Sequence, residues 1–247
     1  MKKTVLNPEY EKLREFVDKL PSTFDMQGDI VQAKRNIIKL IEVGGLKLNI
    51  KRYRKPIFIN RIIYTFLRGT KASKAYNNAI KVIERGFLTP TPVAYIEEYS
   101  GGLLNLSYFI SFQLENIREI REYYFTEVKN DEPFLRSFAR YTADLHNNNI
   151  LHLDYSPGNI LISEINGKYN FSLVDINRME FREVDIQKGC ENFCRLFEYD
   201  IATEFIAAEY AAARGLDADQ CRTLMLEYKH AFERKKERKK KLKQLFR

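Results

Sequence analysis

Cysteine is scarce in this chain, and the three present, Cys190, Cys194 and Cys221, match no zinc-ligand spacing. Cys190 and Cys194 are expected to share one helix face, and all three read as reduced, partly buried thiols of a cytosolic protein. No apolar run approaches the length of a membrane span, and the residues after Met1-Lys2-Lys3 are polar, with no signal-peptide core. Glycine is missing where a phosphate-cradling loop would need it: G-x-G-x-x-G occurs nowhere, and Gly28 is the only glycine before Gly44. Proline is absent beyond Pro157, which excludes an A-P-E segment. What the chain does have is 45% apolar residues over 247 positions, enough to bury a core and too many for global disorder. Its net charge of +8 is uneven: residues 229–247 hold ten Lys/Arg against two Glu, so residues 1–228 balance at zero.

The chain is organised around residues 150–175. His152, Asp154 and Asn159 fall at the spacing H-x-D-x-x-x-x-N of a kinase catalytic loop, and Asp175 follows downstream. Phosphoryl transfer needs a carboxylate against the acceptor hydroxyl and oxygen ligands for the magnesium ions on the nucleotide phosphates. Asp154 on a turn is the candidate carboxylate, Asn159 and Asp175 are the candidate metal ligands, and His152 is structural within the loop. Residues 160–165 and 169–174 read as two strands joined at Asn166-Gly167-Lys168, a hairpin that returns Asp175 beside Asn159.

Upstream, a helix is expected from Asn7-Pro8 to about residue 20. Strands over 35–43 and 46–53 are joined by Gly44-Gly45, and Lys51 near the end of the second is the candidate for the nucleotide phosphates. Helices are expected over 57–67 and 74–84. Thr89-Pro90-Thr91-Pro92 stiffens the entry to a strand over 93–98, and Gly101-Gly102 turns into another over 103–114. These make a β-rich lobe of five strands with inserted helices over residues 1–116, and Gln113-Leu114-Glu115-Asn116 forms a hinge whose backbone would bind adenine. Residues 117–228 read as a helical lobe, with amphipathic helices over 133–146, 185–199, 201–214 and 218–232. His146 is expected to be packed or capping rather than a base. Residues 229–247 form the basic tail.

Together these pieces describe an α+β, protein-kinase-like, two-lobe fold. Asn36, Lys51-Arg52-Tyr53, the Thr89–Pro92 bend, Leu145-His146, His152-Leu-Asp154, Asn159 and Asp175-Ile-Asn177-Arg178 resemble the lipopolysaccharide core kinases of the Kdo/WaaP family over roughly residues 25–215. The resemblance implies ATP- and Mg2+-dependent phosphorylation of a sugar hydroxyl on lipid A–core, by a cytoplasmic enzyme peripheral at the inner membrane. The implied acceptor is a lipid-linked sugar of the inner core.

The chain departs from the general kinase pattern at three points. The glycine-rich loop is missing. The helix after Lys51 places Ala75 where a glutamate orients that lysine, with Glu84 too near the helix end to replace it. Ile-Asn follows Asp175 instead of Phe-Gly. These departures keep open a nucleotide-binding pseudokinase. Ser156 in place of a lysine and the short segment after Asp175 disfavour protein substrates. A soluble aminoglycoside- or choline-type kinase is the other enzyme reading; Arg178 and Arg182, read as acceptor-binding candidates, suit an anionic acceptor better. Residues 229–247, with Phe232, Leu242, Leu245 and Phe246 as apolar anchors, are expected to meet an anionic membrane surface. No nucleic acid is expected as a partner.

Overall fold

A computed structural model describes residues 1–245, and the chain divides into two compact units. The first comprises Met1–Glu115 with Asp175–Arg178; the second comprises Asn116–Val174 with Met179 onward.

The first unit contains β1 (Lys2–Leu6), a 3-10 segment (Pro8–Leu13), α1 (Arg14–Thr23), β2 (Asp29–Ala33), β3 (Ile37–Val43), β4 (Leu46–Tyr53), α2 (Phe58–Ile62), α3 (Lys71–Glu84), β5 (Pro92–Ser100) and β6 (Leu103–Phe112). Its six strands form one antiparallel sheet in the order β1-β5-β6-β4-β3-β2. The β3–β4 turn needs both central residues at positive φ to match strand twist, and Gly44 (57°) and Gly45 (77°) supply it. Alternation along β4 then sorts its side chains. Leu48 and Ile50 point into a core with Leu13, Val17, Leu20 and Phe24, which recur at helical spacing and cover that face. Lys51 and Tyr53 fall on the other face, where Tyr53 packs with Ala72 and Tyr76 of α3 and with Tyr95. Lys39 is buried, and its ammonium donates to the carbonyls of Phe24 (2.7 Å) and Gln27 (2.9 Å), so a buried charge closes the end of the α1 region.

Several expectations shift here. The sheet has six strands, not five. β1 lies in a stretch read as polar and given no strand, because Lys2 and Lys3 mask the alternation of an edge strand. β2 is exposed at every residue, so burial left no period to read. The expected first helix is broken at Tyr10 (φ −113°, ψ 28°), and α1 continues past Pro21 to Thr23. Gly28, at φ +79°, admits no side chain: a Cβ there would lie 2.6 Å from the Leu40 carbonyl oxygen.

The second unit contains β7 (Arg118–Glu119), α4 (Val128–Asn147), β8 (Leu151–His152), β9 (Ile160–Ile165), β10 (Lys168–Leu173), β11 (Met179–Glu180), α5 (Ile186–Glu191), α6 (Asp200–Arg214) and α7 (Ala218–Leu245). β9 and β10 pair from Ile165↔Lys168 to Ile160↔Leu173 around Asn166 (φ 52°) and Gly167 (φ 72°), which is the expected hairpin. The core is aromatic. Phe134 and Phe138 of α4 meet Phe171, and Phe138 also meets Tyr155, Phe193 and Phe197. α5 ends at Glu191 because the chain then turns, so Cys190 and Cys194 do not share a helix; all three cysteines are free thiols. α7 carries the helix expected over 218–232 through the basic stretch to Leu245. Lys229 belongs to the folded body instead of the tail: it is buried and pairs with Asp200 and with Glu233 at 3.2 Å. The Phe232 ring lies under the Arg195 guanidinium at 5.9 Å, leaving Leu242 as an exposed anchor. Phe246 and Arg247 lie outside the described residues. Among the described residues, no helix is long and apolar enough to cross a membrane.

His146 is packed, as expected. It is buried, with Nδ1 at 2.7 Å from the Tyr210 hydroxyl and Nε2 at 3.3 Å from Asn192 Oδ1. Burial is the main cause pulling its pKa down to about 3, helped by the charge on Arg214 and opposed by the Asn192 bond. The unfolded imidazole titrates near 6.5, so the unfolded state takes up a proton first as pH falls. Stability from this group is complete above that value and is lost as pH falls from about 6.5 toward 3, by up to about 1.4 kcal/mol per pH unit. Urea midpoints measured from pH 7 to 4.5 should therefore fall more steeply for the wild type than for His146→Gln. Parallel profiles would show that His146 is not buried neutral.

Candidate active site

On the second unit, the turn after β8 presents Asp154 with its backbone tied on both sides. His152 is buried; its Nδ1 accepts from the Asp154 amide (3.1 Å) and its Nε2 donates to the Val174 carbonyl (3.0 Å). One tautomer satisfies both bonds, and it ties the turn to the end of the β9–β10 hairpin. Asn192 donates to the His152 carbonyl at 3.0 Å. Asn159 Nδ2 donates to the Asp154 carbonyl at 2.8 Å, which sets the amide with Oδ1 as its accepting end. Tyr155 and Thr142 share a buried 2.8 Å hydroxyl bond beneath the turn. His152, Asp154 and Asn159 are thus brought together as the spacing required.

The Asp154 side chain is 35% exposed, and its Oδ1 accepts from Arg195 Nη1 at 2.9 Å. Sequence reasoning missed Arg195, since a single arginine among aromatic residues carries no motif. Arg195 also lines a cavity of about 520 Å3 with Leu153, Arg182, Lys188, Asn192 and Phe232. Arg182 is paired with Glu180 at 2.5 Å and Lys188 with Glu191 at 2.8 Å, so the excess of positive charge there is slight.

On the first unit, Lys51 donates to Asp175 Oδ1 at 2.8 Å, the lysine 14% and the aspartate 36% exposed. Asn177 Nδ2 donates to the same oxygen at 2.6 Å, and Asp175 holds φ 54°, a region that aspartate tolerates better than most residues. No glutamate of α3 orients Lys51. Ala75 is buried, Glu84 is exposed at the helix end, and α3 instead uses Asn78 to donate to the Ile176 carbonyl at 2.7 Å. The phenol of Tyr53 is pushed well up by burial and, secondarily, by the Asp175 charge.

Lys71, at the start of α3, was also missed. Its pKa is pulled down, chiefly by burial and then by the charges of Arg35 and Arg178, with Lys51 adding and Asp175 opposing. Arg35 lies on the bend between β2 and β3, the stretch without a glycine-rich motif, and Arg178 is exposed. The charges of Arg35, Lys51 and Arg178 thus act on Lys71 together with that of the Asp175 carboxylate. Of the two arginines read as acceptor candidates, Arg178 falls on the first unit and Arg182 on the second.

The family model of the lipopolysaccharide kinase (Kdo/WaaP) family matches residues 30–214. The chain belongs to that family. As a member it is a phosphotransferase, a kinase of lipopolysaccharide biosynthesis with the expected protein-kinase-like fold. A solved structure of WaaP in complex with acyl carrier protein is similar, with a TM-score of 0.64 at 16% identity over 96% of this chain and 98% of that one. The Rio2 kinase–ADP/Mg2+–phosphoaspartate complex from Chaetomium thermophilum aligns with a TM-score of 0.46, at 13% identity over 83% of this chain and 64% of that one. No curated protein matches the sequence significantly.

Proposed function

We propose that this kinase transfers the γ-phosphoryl group of ATP, as its magnesium complex, to a sugar hydroxyl of the lipid A-linked core. The observation that carries the reading is the catalytic turn, in which His152 and Asn159 bind the Asp154 backbone from two sides. Phosphoryl transfer passes through a loose transition state in which positioning and electrostatics do most of the work. A carboxylate on a tied backbone, with Oδ1 held by Arg195, leaves Oδ2 to orient the acceptor hydroxyl and receive its proton. Lys51 is assigned to the nucleotide phosphates, with Lys71 and Arg35 adding positive charge in place of glycine-loop amides. Asp175 and Asn159 are the metal ligands; a carboxylate and an amide oxygen are the hard donors that Mg2+ prefers. The ion, when bound, neutralises charge on the phosphate oxygens. Lys51 and Asp175 satisfy each other here; with nucleotide bound, Lys51 would hold the phosphates and Asp175 the ion.

The acceptor reading follows from family membership. An aminoglycoside-type acceptor, being cationic, would want an acidic pocket, whereas in the cavity beside Leu153 the carboxylates of Glu180 and Glu191 are paired with Arg182 and Lys188, and Arg195 adds a further cation. Turnover of ATP with purified lipid A–core fragments, against simple sugars and aminoglycosides, tests this. Stimulation by aminoglycosides alone would overturn it. Asp154→Ala should lower kcat by about 10²–10⁴-fold with an unchanged melting curve; near-normal turnover would remove Asp154 from the role.

Nucleotide affinity separates the other two roles. Asp175→Ala should weaken binding of Mg-ATP much more than binding of ATP in chelator, because its contribution passes through the ion. Lys51→Ala should weaken both. Equal losses for Asp175→Ala, or normal affinity for Lys51→Ala, would reverse these assignments.

The basic end of α7 is the proposed electrostatic contact with an anionic leaflet, each cation near such a surface contributing about 1 kcal/mol. A chain ending after Glu233, which keeps the Lys229 pairs, should lose salt-sensitive binding to anionic vesicles. Retention of that binding would refute a role for the tail.

A further inference from the structure

Between β4 and α3 the chain makes an excursion, α2 followed by a π turn (Ile63–Leu67), whose apolar side chains face outward. Ile57, Phe58, Ile59, Phe66 and Leu67 are 64–76% exposed and Ile62 is 38% exposed. The polar side chains do the inward work. Arg61 donates to the carbonyls of Leu104 (2.7 Å) and Ser100 (3.1 Å), and Thr65 accepts from the Leu104 amide (3.0 Å), pinning the excursion to the β5–β6 hairpin. This inverts the usual amphipathy, in which the apolar side faces the fold. Exposed cations bracket the apolar residues, Arg54 and Lys55 before them and Arg68 after them. The whole of residues 43–83 contains ten Lys/Arg and no Asp or Glu.

We infer that this excursion is a wedge that inserts into an anionic lipid surface, its apolar tip entering the acyl boundary and Arg54, Lys55 and Arg68 meeting the headgroup phosphates. The distribution of apolar residues favours lipid over a protein groove. A groove reads one stripe at i, i+3, i+4 and i+7, whereas Ile57 is extended backbone just before α2, and Phe58 and Ile59 are consecutive within it, so the three exposed side chains form no such stripe. A lipid boundary imposes no such directionality, and a bracket of exposed Arg and Lys within a stretch of sequence that has no acid is the charge pattern of interfacial helices. An exposed patch of this kind on a soluble surface calls for a partner. The inference stands on this surface alone and does not depend on the acceptor assigned above.

The chain contains no tryptophan, so a single substitution makes a clean reporter. Full-length Phe58→Trp and Phe66→Trp proteins should show blue-shifted emission with phosphatidylglycerol vesicles, quenched by lipids brominated along the acyl chain, and little change with phosphatidylcholine. Ile59→Asn/Phe66→Asn should lower vesicle affinity by about tenfold or more while ATP affinity and melting temperature stay unchanged. Vesicle co-sedimentation with unmoved tryptophan emission would overturn the wedge and leave the contact to α7. A blue shift that grows with protein concentration without vesicles would assign the face to a second copy. A shift produced by a soluble acidic protein without lipid would assign it to a protein partner.

Discussion

The ion pair between Lys51 and Asp175 governs the first unit's part of the site. Lys51 is largely withdrawn from water and Asp175 about a third exposed, so each charge offsets part of the other's desolvation. In many kinases a helix glutamate takes the lysine and leaves the metal aspartate to the ion. Here α3 offers Ala75 at that place, so the lysine turns to the aspartate itself. The segment around Asp175 must therefore be held without a glutamate's help, and two amides hold it: Asn177 on the carboxylate and Asn78 on the Ile176 carbonyl. The left-handed backbone at Asp175 is the cost of presenting the carboxylate on so short a segment.

The catalytic turn solves a related problem with neutral groups. Asp154 is positioned through its backbone, by a histidine of one fixed tautomer and an asparagine, so its side chain is not spent on holding the loop. Among the described residues its carboxylate is met by Arg195, which lies between two aromatic residues, Phe193 and Phe197, that are buried against α4. An arginine there stabilises the carboxylate as an anion, which would suit the orienting role proposed for Asp154 in a reaction governed by alignment.

Much of this was legible in the sequence because short-range rules wrote it. Gly44-Gly45 and Asn166-Gly167 have the one turn chemistry that forces positive φ twice, so β4 and the β9–β10 hairpin could be read closely. His152, Asp154 and Asn159 sit on a single turn, where sequence spacing is spatial spacing. β1 and β2 escaped because exposed or charged edge strands have no buried face to impose a period. Arg195 and Lys71 escaped for a different reason. Each reaches a carboxylate far away in sequence, Arg195 the charge on Asp154 and Lys71 the charge on Asp175, and a lone cation announces no partner.

Net charge misled in an instructive way. Residues 1–228 sum to zero, which suggests a neutral body with a basic tail, yet zero is also what a strongly divided body gives. Residues 43–83 carry ten cations and no acid, so the rest of 1–228 carries ten more acids than bases. That acid-free stretch contains Lys51, paired with Asp175, and Lys71, and also the outward-facing apolar excursion. A nucleotide triphosphate and an anionic lipid surface present the same chemistry, clustered phosphate oxygens, to whatever binds them. The stretch itself supplies no Asp or Glu, and the acids its cations do meet, Asp25, Glu115 and Asp175, come from other parts of the chain. The tail adds charge but few apolar anchors, with Phe232 already committed beneath Arg195. In the proposed membrane contact, attraction to the surface and entry into it would then be separate tasks, assigned to different parts of the chain.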